Sequence, residues 1–101
     1  MDIGRRNNIT GPVLEIIGDL DYSNATRLRE LLLTRTLRPG QRLFLDLAGL
    51  TFCDSCGITA LIAARGHTHA AQADIALAAV PAHTLRILRL VGLDQIFALD
   101  P

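Results

Sequence analysis

The run from Arg42 to Leu47 constrains the fold more than any other part of this sequence. Four of its six positions are apolar, and they do not alternate regularly with polar residues. Such runs are typical of strands that are buried on both faces of a parallel sheet. A second run of this kind, Ile75–Val80, predicts a neighbouring strand. Because 50% of the residues are hydrophobic, the chain can bury a core around such a sheet without metals or disulfides.

Helical patterns separate these strands. The first helix is predicted to begin at Ser23 or Asn24, one of which should cap it, and to stop at Pro39-Gly40. A second is predicted over Gly57–Ala71, and a third from Pro81 to Gly92. Strands that alternate with helices favour right-handed crossovers. The sequence therefore predicts an α/β fold, a single small domain over residues 1–101 with a mixed, mostly parallel sheet of four to five strands and helices packed against it.

Three weaker strand signals complete this pattern. Val13–Ile17 is a β-branched run that Gly18–Asp21 is expected to end. Thr10 and the residues before it suggest a weak edge strand, and Ile96–Leu99 suggests a last short one. Leu50–Cys53 leads into a turn at the next residue.

Charge and hydropathy exclude several classes of function. Ten basic and ten acidic residues balance, whereas a nucleic-acid-binding domain of this size normally carries a basic surplus on one face. No apolar run reaches the roughly 18 residues of a membrane span, and the first six residues lack the apolar stretch of a signal peptide. We therefore expect a cytoplasmic protein with no nucleic-acid or membrane partner.

The turn Phe52–Gly57 carries the chemistry, and three interpretations compete there. The first is a redox or metal site, because Cys53 and Cys56 have C-x-x-C spacing. A structural zinc ion needs four ligands and no second cysteine pair exists, while His67 and His69 are expected at the far end of the following helix. We expect both thiols to be packing residues and predict no metal or cofactor, with a dithiol oxidoreductase as the remaining enzyme alternative.

The second interpretation is a catalytic serine. Ser55 would need a nearby base and an oxyanion hole. The G-x-S-x-G elbow is absent, because Cys53 stands where its first glycine should be. We therefore expect no enzymatic activity.

The third interpretation is a phosphoacceptor. Asp54 and Ser55 lie where a strand meets a helix, and the unpaired N–H groups of a helix start tolerate a phosphate. Gly57 is expected to let a partner's backbone approach closely, since it has no Cβ. On physical grounds alone, a simple helix cap formed by Asp54 and Ser55 explains the pattern better.

The chain resembles the STAS domain of bacterial anti-sigma factor antagonists. Three segments carry the resemblance: Phe44–Ile58, Gly18–Asp21 and Leu88–Phe97. The first is similar to the family's strand, Asp-Leu turn and Asp-Ser-Ser/Thr-Gly-Leu segment. The resemblance extends over nearly the whole chain in the expected order.

This resemblance implies a partner-switching function. The serine that is phosphorylated in the family maps onto Ser55, and the kinase is the partner itself, an anti-sigma factor with a GHKL-type ATP-binding fold. The unphosphorylated antagonist binds the anti-sigma factor kinase and releases the sigma factor, and a metal-dependent Ser/Thr phosphatase resets the switch. The partner-facing residues so implied are Asp21, Ser23, Asp54, Ser55, Cys56 and Gly57.

Two departures from the family leave alternatives open. Cys56 replaces the usual Ser or Thr, so one hydroxyl contact is missing. The sequence also stops soon after the last predicted strand, where many relatives add a helix, so a second copy could cover the exposed surface in a homodimer. The alternative function is a constitutive STAS scaffold in a larger signalling complex that needs no modification of Ser55.

Overall fold

A computed structural model describes residues 1–9, 11–34 and 36–100, the side chain of residue 100 excepted. Thr10 itself lies outside these residues, but the residues before it form the expected edge strand, Asp2–Asn8. The elements in chain order are β1 (Asp2–Asn8), β2 (Gly11–Leu20), α1 (Ala25–Leu33), β3 (Arg42–Asp46), β4 (Leu50–Cys53), α2 (Ser55–Ala70), β5 (Asp74–Ala78), α3 (Ala82–Leu90), a 3-10 turn (Leu93–Gln95) and β6 (Ala98–Asp100). None of the helices within the described ranges is long and apolar enough to cross a membrane.

The strands of the described chain form one mixed sheet. Its order is β1-β2-β3-β5-β6. Strand β4 pairs with the last residues of β2, beyond the part of β2 that pairs with β3. Only β1 runs antiparallel, alongside β2. The predicted α/β class with a mostly parallel sheet is confirmed. The strands number six in the described residues, rather than four to five, because Leu50–Cys53, predicted only to lead into a turn, pairs with the end of β2 as a further strand.

Several predicted boundaries were wrong. Strand β2 does not end at Gly18; it continues to Leu20, because Gly18 adopts a φ of 97° and a register shift follows it in the pairing with β4. Helix α1 ends at Leu33, several residues before Pro39-Gly40. Helix α2 begins at Ser55, two residues before the predicted start at Gly57.

Helices cover only one face of the sheet. The crossovers from β2 to β3, from β4 to β5 and from β5 to β6 all step in the same direction, and right-handed connections therefore place all three helices on one side. Burial in β3 alternates accordingly: Leu43 and Leu45 are buried, while Phe44 and Asp46 are half-buried. The expectation that this strand is covered on both faces was wrong.

The opposite face of the sheet carries charges. Arg6 of β1 forms ion pairs with Glu15 of β2 and with Asp46 of β3, the latter at 3.3 Å. The core lies between the sheet and the helices. Its largest fully buried apolar side chains are Leu14, Ile16, Leu20, Leu28, Leu32, Leu43, Leu45, Leu47, Leu61, Leu77 and Leu88. This packing fixes where α2 starts relative to the ends of β2 and β4.

Candidate functional site

Asp54 caps the start of α2. It precedes the helix in an extended conformation, and its Oδ1 accepts the backbone N–H of Gly57 at 3.0 Å. Ser55 is the first helical residue and its side chain is exposed. Thr59, one turn later, donates its hydroxyl to the carbonyl of Ser55 at 2.9 Å. Asp54 is therefore the cap, and the hydroxyl of Ser55 lies on the surface beside it.

Asp54 also joins the helix start to the loop that follows β2. Its Oδ2 accepts the backbone N–H of Tyr22 at 3.3 Å, and its own N–H donates to the carbonyl of Leu20 at 3.3 Å. Two of the three segments that carry the family resemblance, the one before α1 and the one that leads into α2, therefore meet at one end of the sheet.

Asp21, which is half-buried, and the exposed Ser23 form a small turn in this loop. Asp21 Oδ1 accepts the hydroxyl of Ser23 at 2.6 Å and its backbone N–H at 2.9 Å. These two hydrogen bonds lower the pKa of Asp21 below its ordinary value, and the one from the hydroxyl has the larger effect. The carboxylate is thus held charged on the same surface as Ser55.

Asn24 does not cap α1 in the way that the sequence suggests. It occupies the N-cap position, but its side chain makes no capping hydrogen bond to the helix. Its Oδ1 accepts the N–H of Asp21 at 2.9 Å, and its Nδ2 donates to the carbonyl of Asp19 at 2.7 Å. Asn24 therefore rigidifies the loop that presents Asp21 and Ser23, a role that only the folded loop reveals.

Gly57 faces the interior of the protein, not a partner. It is buried, and a Cβ added to it would lie 2.6 Å from Cys53 Sγ and 2.7 Å from the carbonyl oxygen of Leu20. The expectation that this glycine admits a partner's backbone was wrong, because its own chain already fills the space. Its function is to let α2 start directly against the ends of β2 and β4. The neighbouring Cys56 is half-buried and packs against the core.

Cys53 is a buried thiol beneath the helix start. It is only 3% exposed, and burial, with a smaller contribution from the charge of Asp54, raises its pKa to about 11. A redox-active thiol at a helix start would need a lowered pKa. His67 and His69 lie in the last turn of α2, at the opposite end of the helix from Cys53. Among the described residues, no group of three or more metal-ligating side chains lies close enough to hold an ion.

An apolar groove opens beside Ser55, between α2 and α3, with a volume of about 410 Å³. We call it the Ser55 groove. It is lined by Cys53, Asp54, Ser55, Ile58, Thr59, Ile62, Ile87, Val91 and Leu93. Of these, Ile62 and Val91 are 44% and 60% exposed, so part of the apolar surface is open to solvent. The sequence alone did not reveal the groove, because its lining comes from both α2 and α3 and only the fold brings these helices together. The available signal was the presence of apolar residues outside the buried stripe of each helix.

The order of the strands, the capped start of α2 and the loop that follows β2 together define a STAS-type α/β domain. The family model described as "Mlab, STAS domain" matches residues 3–99, and the chain belongs to this family. None of the curated proteins matches the chain.

The fold is also that of known anti-sigma factor antagonists. The chain is similar to one from Mycobacterium paratuberculosis, with 23% identity and a TM-score of 0.84 over 99% of this chain and 85% of that one. It is similar to SpoIIAA in its unphosphorylated form, with 13% identity and a TM-score of 0.79 over 99% and 89%. A sulfate transporter family protein from Wolinella succinogenes matches with 21% identity and a TM-score of 0.72 over 87% and 75%.

We predict that Gly57→Ala destabilises the protein by about 1–3 kcal/mol, because the added methyl group must displace the backbone of Leu20 or the thiol of Cys53. Gly66→Ala in the same helix is the matched control. A Cβ there meets nothing within 4 Å, so it should stabilise the protein by about 0.5–1 kcal/mol. Urea unfolding measures both values, and equal free energies of unfolding for the two variants would contradict the packing role.

We also predict that Cys53 is unreactive towards a disulfide reagent at neutral pH in the folded protein. Its folded pKa of about 11 exceeds the ordinary value of 9.0, so the unfolded chain loses this proton first as the pH rises. The free energy of unfolding should therefore fall between about pH 9 and pH 11 relative to that of Cys53→Ala. A thiolate that titrates below pH 8, or a difference independent of pH, would contradict this.

Proposed function

We propose that this chain is an anti-sigma factor antagonist. When unphosphorylated it binds an anti-sigma factor kinase, which frees the sigma factor, and phosphorylation of Ser55 ends that interaction. One observation carries the proposal: Ser55 is exposed at the first position of α2, beside its cap Asp54 and at the rim of an apolar groove. A Ser/Thr phosphatase would then restore the binding form, and the setting is the cytoplasm.

A phosphate on Ser55 is compatible with the fold. The first N–H groups of a helix have no partner within the helix, and the helix dipole favours negative charge there. The carboxylate of Asp54 accepts the N–H of Gly57 and is not bonded to the N–H groups that precede it in the first turn of α2. Modification of Ser55 therefore needs no unfolding of α2.

The same phosphate would strongly change the surface that a partner meets. It adds about −1.5 to −2 charges at neutral pH, next to Asp54 and on the side of the molecule that carries Asp21. A partner that buries the Ser55 groove would have to dehydrate these charges together, which opposes binding. In the unphosphorylated chain the groove supplies the apolar contact with the partner, and in the phosphorylated chain the phosphate repels the partner.

The arrangement is that of a binding surface rather than a catalytic centre. Besides Ser55, the groove is lined by the acid Asp54, the hydroxyl of Thr59, the buried thiol of Cys53 and aliphatic residues. A nucleophilic serine needs a general base within hydrogen-bond reach. In this proposal Ser55 accepts a phosphoryl group, and the partner kinase supplies the catalytic groups.

Incubation with the cognate anti-sigma factor kinase and ATP should add one phosphate, located at Ser55 by mass spectrometry of peptides. The variant Ser55→Ala should remain unmodified. Thr59→Val, which removes the nearest other hydroxyl in the groove, should be phosphorylated as the wild type is. Phosphate on another residue, or none on the wild type, would rule the mechanism out.

A constitutive interaction module is the second candidate. It is favoured by the similarity to the sulfate transporter family protein, which shows that this fold also occurs outside antagonists. Such a module would remain bound when its complex is incubated with ATP, whereas the proposed antagonist would leave. Gel filtration of the complex before and after ATP addition separates the two functions.

A further inference from the structure

Strand β1 leaves one side of its backbone unpaired in the described part of the chain. Its seven residues, Asp2–Asn8, pair with β2, and β1 is the end of the strand order. In an antiparallel ladder, alternate residues point their N–H and C=O groups away from the partner strand. The outer side of β1 therefore offers a row of hydrogen-bonding groups to another extended segment.

A groove of about 410 Å³ runs beside this edge, between β1 and α1. We call it the edge groove. It is lined by Ile3, Arg5, Arg27, Glu30, Leu31 and Thr34. Ile3 and Leu31 are half-buried and give it an apolar floor. An extended chain added to β1 would point every second side chain into this groove.

The charges of the edge groove favour an acidic occupant. Arg5 and Arg27 form no ion pair with any residue that the structure describes, and Arg27 donates only a long hydrogen bond of 3.4 Å to the carbonyl of Met1. Arg6, on the other face of the strand, is already paired with Glu15 and Asp46. With two arginines against the single acid Glu30, the edge groove carries a net charge of +1.

We propose that the edge groove binds an extended acidic peptide segment of a partner protein, which adds to β1 as a further strand of the sheet. Main-chain hydrogen bonds to β1 hold the segment, and alternate side chains set its specificity. A carboxylate lies between Arg5 and Arg27, and an apolar side chain packs on Ile3 and Leu31. A second copy of the chain fits less well, because the residues of its own β1 that share a face with Arg5 are Ile3 and Asn7, so it would bring a further arginine and no carboxylate.

The test uses the capped peptide Glu-Thr-Val-Thr-Glu-Thr, which is β-prone and places Glu, Val and Glu on one face. Either orientation puts a Glu opposite Arg5 when Val lies over Ile3. Titration into nitrogen-15-labelled protein should shift the amide signals of β1 and of Arg27–Thr34 by saturable amounts. The peptide with Lys in place of Glu should bind at least about tenfold more weakly.

Two variants make the test specific. Arg5→Glu combined with Arg27→Glu should weaken binding of the Glu peptide at least about tenfold and restore binding of the Lys peptide. Arg29→Glu on the same helix, outside the edge groove, is the matched control and should leave the Glu peptide's affinity within about twofold of wild type. Ser55→Asp should also have no effect, since this proposal does not depend on Ser55.

Three outcomes would overturn the proposal. One is the absence of shifts at millimolar peptide. Another is shifts confined to the Ser55 groove or abolished by Ser55→Asp. The third is concentration-dependent shifts of β1 without peptide, which would identify a second copy as the occupant.

Discussion

The close contact between Gly57 and the ends of β2 and β4 is the constraint on which the site depends. No side chain fits at this position, because the carbonyl of Leu20 and the thiol of Cys53 occupy the space. The contact lets α2 begin at Ser55 and places the cap, Asp54, within hydrogen-bond distance of Tyr22. If a methyl group at residue 57 displaced α2, the start of α2 would move away from the loop that follows β2. The proposed partner has to contact both of these segments.

Two surfaces of different character result from this packing. At one end of the sheet, Asp54 and the exposed hydroxyl of Ser55 border an apolar groove. The fold tolerates a negative charge added to Ser55, but that charge would oppose the dehydration of the groove by a partner. At the edge strand β1, unpaired backbone groups and two arginines border the edge groove. We propose that the first surface is switched by modification and that the second is not, which would let one small domain hold one partner while releasing another.

The order of elements could be predicted from the sequence because periodicity is a local property. The apolar runs at Arg42–Leu47 and Ile75–Val80 correspond to β3 and β5, and α2 was predicted with a start two residues too late. What could not be predicted depends on contacts between distant segments. The extension of β2 past Gly18 requires its pairing with β4, and the true function of Gly57 requires the position of Leu20. The Ser55 groove exists only once α3 lies beside α2.

We propose that one phosphate on Ser55 decides whether a partner occupies the Ser55 groove. The most direct measurement is the dissociation constant of the anti-sigma factor kinase for the unphosphorylated chain and for the same chain phosphorylated at Ser55, at one ionic strength. We expect phosphorylation to raise it at least about tenfold, because the added charge must be dehydrated or repelled beside Asp54. Dissociation constants that agree within about twofold would contradict the account.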